Sequence, residues 1–331
     1  MRTVFVVGAG ASTDFHLPIG KALVDQIRNL LNDELESTPS GRRILDAAIA
    51  SQLQGDYGEA CQDLCGGLVA ARSIDRLLES RKDRPLVKEL GKCSIAAAIG
   101  QKEAHSQLGE AVDDTWSSKH AGLLASRETW LGNLFAILAE GKHPSQSDQI
   151  FDNIAFVTFN YDRCIEQYLR LAFHHIMHLS YSQSVEIVSN IPITHVYGSL
   201  GELPDSNGNG GICFGPDHYY IREMSENIRT FTEGAIDGTL DESRFHIQRA
   251  DQIVFLGFGF DAMNVKALFA GGLSENQALF GTRCGIGRAE LDYFANEVTF
   301  NENWSATLKN SYCNVFTASE DFRSTILRSA T

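Results

Sequence analysis

The stretch that decides the fold is Thr3-Val4-Phe5-Val6-Val7-Gly8-Ala9-Gly10-Ala11-Ser12. Five consecutive β-branched and aromatic residues predict a strand buried on both faces, and the small residues behind them predict a tight turn. The period then changes. Leu23, Ile27, Leu30 and Leu31 recur at helical spacing, and Pro18 sits where the first turn of a helix tolerates it.

Outward from that strand, helical periodicity dominates from residue 20 to about residue 142. Ser73 is placed to cap a helix carrying Ile74, Leu77 and Leu78, and Trp130, Leu134 and Leu138 stripe another. Strand signals return at 154–159, 191–196 and 253–257, with a last short strand expected at 313–316 and a helix behind it. Strands alternating with helices predict an α/β fold. Its core is a Rossmann-like parallel sheet with helices on both faces and a large helical insertion after the first strand. Residues 1–20 and 146–331 then form the Rossmann domain, and residues 21–145 an inserted lid or assembly module.

The 331 residues are 43% hydrophobic and 21% charged, a composition that excludes wholesale disorder. A net charge of −14 argues against autonomous nucleic-acid binding, which needs clustered Lys and Arg to displace counterions. No uncharged apolar stretch reaches the roughly 18 residues of a membrane helix. The apolar run Val4 to Val7 is too short for a signal-peptide core, so a cytoplasmic location is expected. Seven cysteines are scattered singly apart from Cys61 and Cys65, without a Cys-x-x-Cys pair, and this predicts reduced thiols and no structural metal.

Four strand ends carry polar or glycine-rich segments. The Gly8–Ser12 turn could bring backbone N–H groups to a pyrophosphate, or it could be only a tight turn. Thr13 stands where a third glycine would complete the dinucleotide fingerprint. Thr158-Phe-Asn160-Tyr-Asp162 sets two polar side chains directly beyond an apolar strand, though Asp162 also fits as a helix cap. The other two are Thr194-His195-Val-Tyr197-Gly198-Ser199 and Gly257-Phe-Gly259-Phe-Asp261-Ala-Met-Asn264. In an open parallel sheet all four converge on one edge, where ligands bind.

Taken in this order, the motif set resembles the sirtuin superfamily and looks most like the bacterial sirtuin-like NADase effectors of antiphage defence. The resemblance runs from residue 4 to about residue 264. It implies NAD+ as substrate, cleaved to nicotinamide and ADP-ribose, with no metal. It places Ala9, Gly10, Ala11 and Ser12 on the phosphates and adjoining ribose, with Gly8 in the same cofactor-binding turn, and Asn160 and Asp162 on the nicotinamide ribose. Gly257, Gly259 and Asp261 fall on the adenosine side, and Pro18, Thr158, Gly198 and Asn264 complete the cofactor-binding set. Asn160 is the first catalytic candidate.

Two departures matter. The family has His directly before the glycine of the third motif, where this chain has Tyr197, with His195 two residues earlier. Three readings stay open: His195 is the base, Tyr197 takes the place, or activity is lost and the chain binds NAD or ADP-ribose as a regulator. The zinc module of the deacylases is also missing, which favours hydrolysis over deacylation or ADP-ribosyl transfer. The resemblance further implies a homo-oligomer and a partner encoded in the same operon, such as a HerA-type ATPase or a nucleotide-sensing protein.

Overall fold

Five parallel strands build the sheet: β1 (Thr3–Val7), β2 (Ile154–Thr158), β3 (Ile193–His195), β4 (Gln252–Leu256) and β5 (Ala278–Gly281). A computed structural model describes residues 1–38, 42–109, 116–216, 218–270, 272–274, 276–282, 286–287, 289–290 and 292–294. The order across the sheet is β3-β2-β1-β4-β5, all parallel. Every residue of β1, β2 and β4 is buried, as the uninterrupted apolar runs require of strands covered on both faces.

This order places the switch point between β1 and β4, where successive connections leave in opposite directions and open a crevice at the carboxyl ends. The register levels that edge. Val7 pairs with Thr158 on one side and Leu256 on the other, and Thr158 pairs with His195. Gly8, Phe159, Val196 and Gly257 therefore leave the sheet side by side.

Eight helices are described between β1 and β2: α1 (Ala9–Ser12), α2 (Gly20–Glu36), α3 (Arg43–Ile49), α4 (Tyr57–Leu68), α5 (Ile74–Ser80), α6 (Pro85–Ala104), α7 (Trp116–Ser126) and α8 (Trp130–Ala139). α9 (Cys164–His175) and α10 (Tyr181–Ser189) join β2 to β3; α11 (Ile221–Asn227), α12 (Phe231–Ile236) and α13 (Thr239–Gln248) join β3 to β4; α14 (Ala262–Leu268) follows β4. Ser73 caps α5 through Asp75 N, and Trp130, Leu134 and Leu138 are buried along α8, both as the pattern predicts. α6 packs against α2, α3, α4 and, from the far side of the chain, α11. One continuous apolar core runs through these helices and the sheet.

Two details differ from the pattern. The chain does not pass from β1 directly into a long helix. α1 is a single turn, followed by a 3-10 turn over Thr13–Phe15 and by His16 in the left-handed region at φ 64°. Pro18 consequently lies ahead of α2 rather than in its first turn. β5 carried no periodic signal, because four residues ending in glycine are too short to show alternation. The strand expected at 313–316 and the helix behind it lie outside the described residues.

Candidate functional site

The site grows from the glycine turn. Gly257 adopts φ +57°, and a Cβ there would stand 2.0 Å from Ala11 N. A Cβ on Gly8 would meet Gly257 O at 2.6 Å, and one on Gly10 would meet Gly257 Cα at 2.8 Å. Gly10 N donates to Gly257 O at 3.0 Å and Ala11 N to Gly8 O at 2.9 Å. These glycines let the loops after β1 and β4 interlock backbone to backbone. Ala9, Gly10 and Pro18 stay partly exposed along this edge, whereas Ala11 is buried, its carbonyl accepting from Trp130 Nε1 at 3.1 Å.

Behind the turn, Ser12, Asn160 and Asp162 form a buried polar cluster, each less than one-tenth exposed. Asn160 Nδ2 donates to Gly8 O at 3.2 Å and to Ser12 Oγ at 2.7 Å, and Ser12 Oγ donates to Asp162 Oδ2 at 2.8 Å. A backbone carbonyl only accepts, and the Ser12 proton is committed to Asp162, so the amide orientation is fixed. Among the described residues nothing partners the buried Asn160 Oδ1. Thr158 Oγ1 accepts from Asn160 N at 3.1 Å and holds the loop as it leaves β2.

Asp162 bridges the turn after β1 and the start of α9. Oδ1 accepts from Cys164 N at 3.2 Å at the start of α9, and Oδ2 holds Ser12. Burial pushes its carboxyl above the usual range, opposed by the Ser12 and Cys164 hydrogen bonds and by the nearby His195.

His195 ends β3 with both ring nitrogens engaged. Nδ1 lies 2.8 Å from Asn160 O and Nε2 lies 2.7 Å from Glu166 Oε1 on α9. A carbonyl and a carboxylate both accept, so a ring protonated at both nitrogens satisfies both contacts. Burial opposes that charge, but Glu166 and the Asn160 carbonyl outweigh it and hold His195 above its ordinary value. Burial likewise works against the Glu166 carboxylate, and His195 more than compensates, leaving Glu166 below its ordinary value. Tyr197 lies past the end of β3, where strand alternation no longer applies, and it turns elsewhere. Its hydroxyl donates to Asn264 Oδ1 on α14, and its ring meets Phe159 edge-on at 5.6 Å.

Gly198 requires its glycine, since at φ +69° a Cβ would lie 2.0 Å from Asn227 O. Gly259 is different, exposed and with open space where a Cβ would go. Asp261 caps α14 through Met263 N at 2.9 Å and pairs with Arg76 at 2.6 Å.

Several participants carry no motif. Glu166 is an ordinary helix glutamate in sequence. Arg163, beside Asp162, is buried and pairs with the fully buried Glu103 of α6 at 2.6 Å, while also donating to the carbonyls of Ile212 and Cys213. From α5, Asp75 accepts from the Tyr161 hydroxyl and Arg76 reaches Asp261, so one helix of the 21–145 segment ties down the loops after both β2 and β4. Among the described residues no group of three or more His, Cys, Asp or Glu could hold a metal ion, and no helix is long and apolar enough to cross a membrane.

No family model matches the chain, and no curated protein matches it.

Proposed function

We propose that this chain hydrolyses NAD+ to nicotinamide and ADP-ribose at the carboxyl edge of β1, β2 and β4. The reading rests on the sirtuin-like motif set and on one observation: an Asn160 side chain locked by Gly8 and Ser12, with a buried acceptor atom left unpartnered. Buried polar atoms are seldom left this way and each calls for an explanation; at a loop beyond the carboxyl end of a parallel strand, a bound ligand or water supplies one.

Cleavage breaks the bond between nicotinamide and the ribose C1′ and forms a bond from C1′ to a water oxygen. The leaving group departs neutral from a cationic pyridinium, so it needs no acid. The protein's task is to place water and ribose and to favour the oxocarbenium-like transition state. In this reading Asn160 Oδ1 accepts from the water or a ribose hydroxyl, and Asp162 provides negative charge nearby. The proton released by the water goes to solvent, since both Asp162 oxygens and both His195 nitrogens are already engaged. His195, doubly engaged, acts as a positioning residue that holds the Asn160 carbonyl. Control by self-assembly or by a partner chain belongs to the proposal, since unrestrained hydrolysis would exhaust the cell's NAD; an antiphage effector would need such restraint.

A second reading, a regulator that binds NAD or ADP-ribose without turnover, is favoured by the same engagement of His195 and by the Tyr197 bond to Asn264. The purified chain and Asn160→Ala, each alone and with the product of the neighbouring gene, separate the two. Nicotinamide release by the wild type that vanishes in Asn160→Ala supports the hydrolase. NAD binding without release under either condition supports the regulator.

A further inference from the structure

We propose that a cavity formed by α2, α3, α6 and α11, lined by none of the strand-end residues, binds a small amphipathic anion. Ala97, Gly100 and Ala104 follow one another at helical spacing on α6, and their short side chains leave a space, bordered by Gln101, that the neighbouring helices do not close. The cavity holds about 260 Å³. Leu30 from α2, Ile44 from α3 and Ile221 and Met224 from α11 supply its apolar wall. Interiors normally close-pack, and an open apolar hollow where four helices meet is the form a small-molecule site takes.

The polar lining sets the ligand's charge. Glu34 is the carboxylate of the wall, and both its oxygens are occupied: Oε1 accepts from Ile44 N at 3.0 Å, and Oε2 from Ile44 N and Leu45 N at 3.1 Å each. It therefore serves the start of α3 and makes no ion pair with Arg43. The exposed Arg43 guanidinium makes no hydrogen bond or ion pair among the described residues. An uncommitted planar fork of donors beside an apolar wall fits a ligand with an apolar body and one carboxylate, sulfonate or phosphate.

The test titrates the full chain with anilinonaphthalene sulfonate, which has that design, and follows its fluorescence. Saturable binding at one site is expected. Octanoate and octyl phosphate should displace the probe, the better of them naming the head group, whereas neutral octanol should need about tenfold more. Ala97→Leu fills the hollow and should abolish binding. Arg43→Gln should weaken it about tenfold. Because Arg43 is exposed, that variant keeps the test decisive should Ala97→Leu fail to fold. Absence of saturable binding, equal affinity in Arg43→Gln, or octanol displacing as well as octanoate would overturn the proposal.

Discussion

Asn160 Nδ2 lies 2.7 Å from Ser12 Oγ, and this hydrogen bond joins the loop after β2 to the turn after β1 across 148 residues of sequence. Ser12 passes the connection on to Asp162, so three buried polar side chains form one chain of bonds. Such a network fixes geometry at the sheet edge, and its unpartnered end is where a ligand would join it.

Replacing Asn160 by Ala leaves Gly8 O and Ser12 Oγ without their donor. The expected cost is about 1–3 kcal/mol of stability, enough to lower the melting temperature but not to unfold the chain. On the proposed hydrolase reading, nicotinamide release should fall by about 100-fold or more. Thermal melts and product chromatography read the two effects separately, and full activity in the variant would remove Asn160 from the mechanism.

The His195–Glu166 pair gives stability a pH window. His195 is raised above 6.5, so its contribution is complete below that pH and is lost as pH rises through the raised value. Glu166 is lowered from 4.5, so its contribution is present above that pH and is lost as pH falls through the lowered value. Between about pH 4.5 and 6.5 the pair acts in full. Melting temperatures should decline on the alkaline side, and Glu166→Gln should flatten that decline.

Two glycines of one motif should behave oppositely. Gly257→Ala sets a Cβ against Ala11 N in a left-handed backbone and should cost several kcal/mol, about the upper range of single substitutions. Gly259→Ala meets open space and should change stability by less than about 0.5 kcal/mol. Denaturant midpoints of the two variants compare them directly.

Glu103→Leu strands the Arg163 guanidinium in the interior, where it cannot shed its charge. A loss of about 3–5 kcal/mol is expected, read by urea unfolding. Adding Arg163→Met removes the stranded charge, so the double variant should recover part of that loss. Additive losses would show that the two residues act independently.

Much of the sheet is legible because its strands are continuous apolar runs. The runs at 3–7, 154–159 and 253–257 mark β1, β2 and β4 to within one residue at either end, and burial on both faces demands that pattern. β3 is shorter than its signal, three residues against six, since the chain turns away after His195. Strand alternation, which would put His195 and Tyr197 on one face, does not continue past that point. Instead His195 meets α9 and Tyr197 meets α14.

The sequence by itself determined the types of the long elements, β5 and the short turns after β1 excepted, and the loops that gather at the sheet edge. Hydrophobic period is set locally, and a parallel sheet must turn at each strand's carboxyl end. Only the tertiary structure decided who meets whom there: Glu166 on His195 from 29 positions away, Glu103 on Arg163 from 60, and Gly257 nested against Gly8 and Gly10. Those pairings follow from strand order and helix packing, and a glutamate that will hold a histidine has the same local pattern as one that faces water.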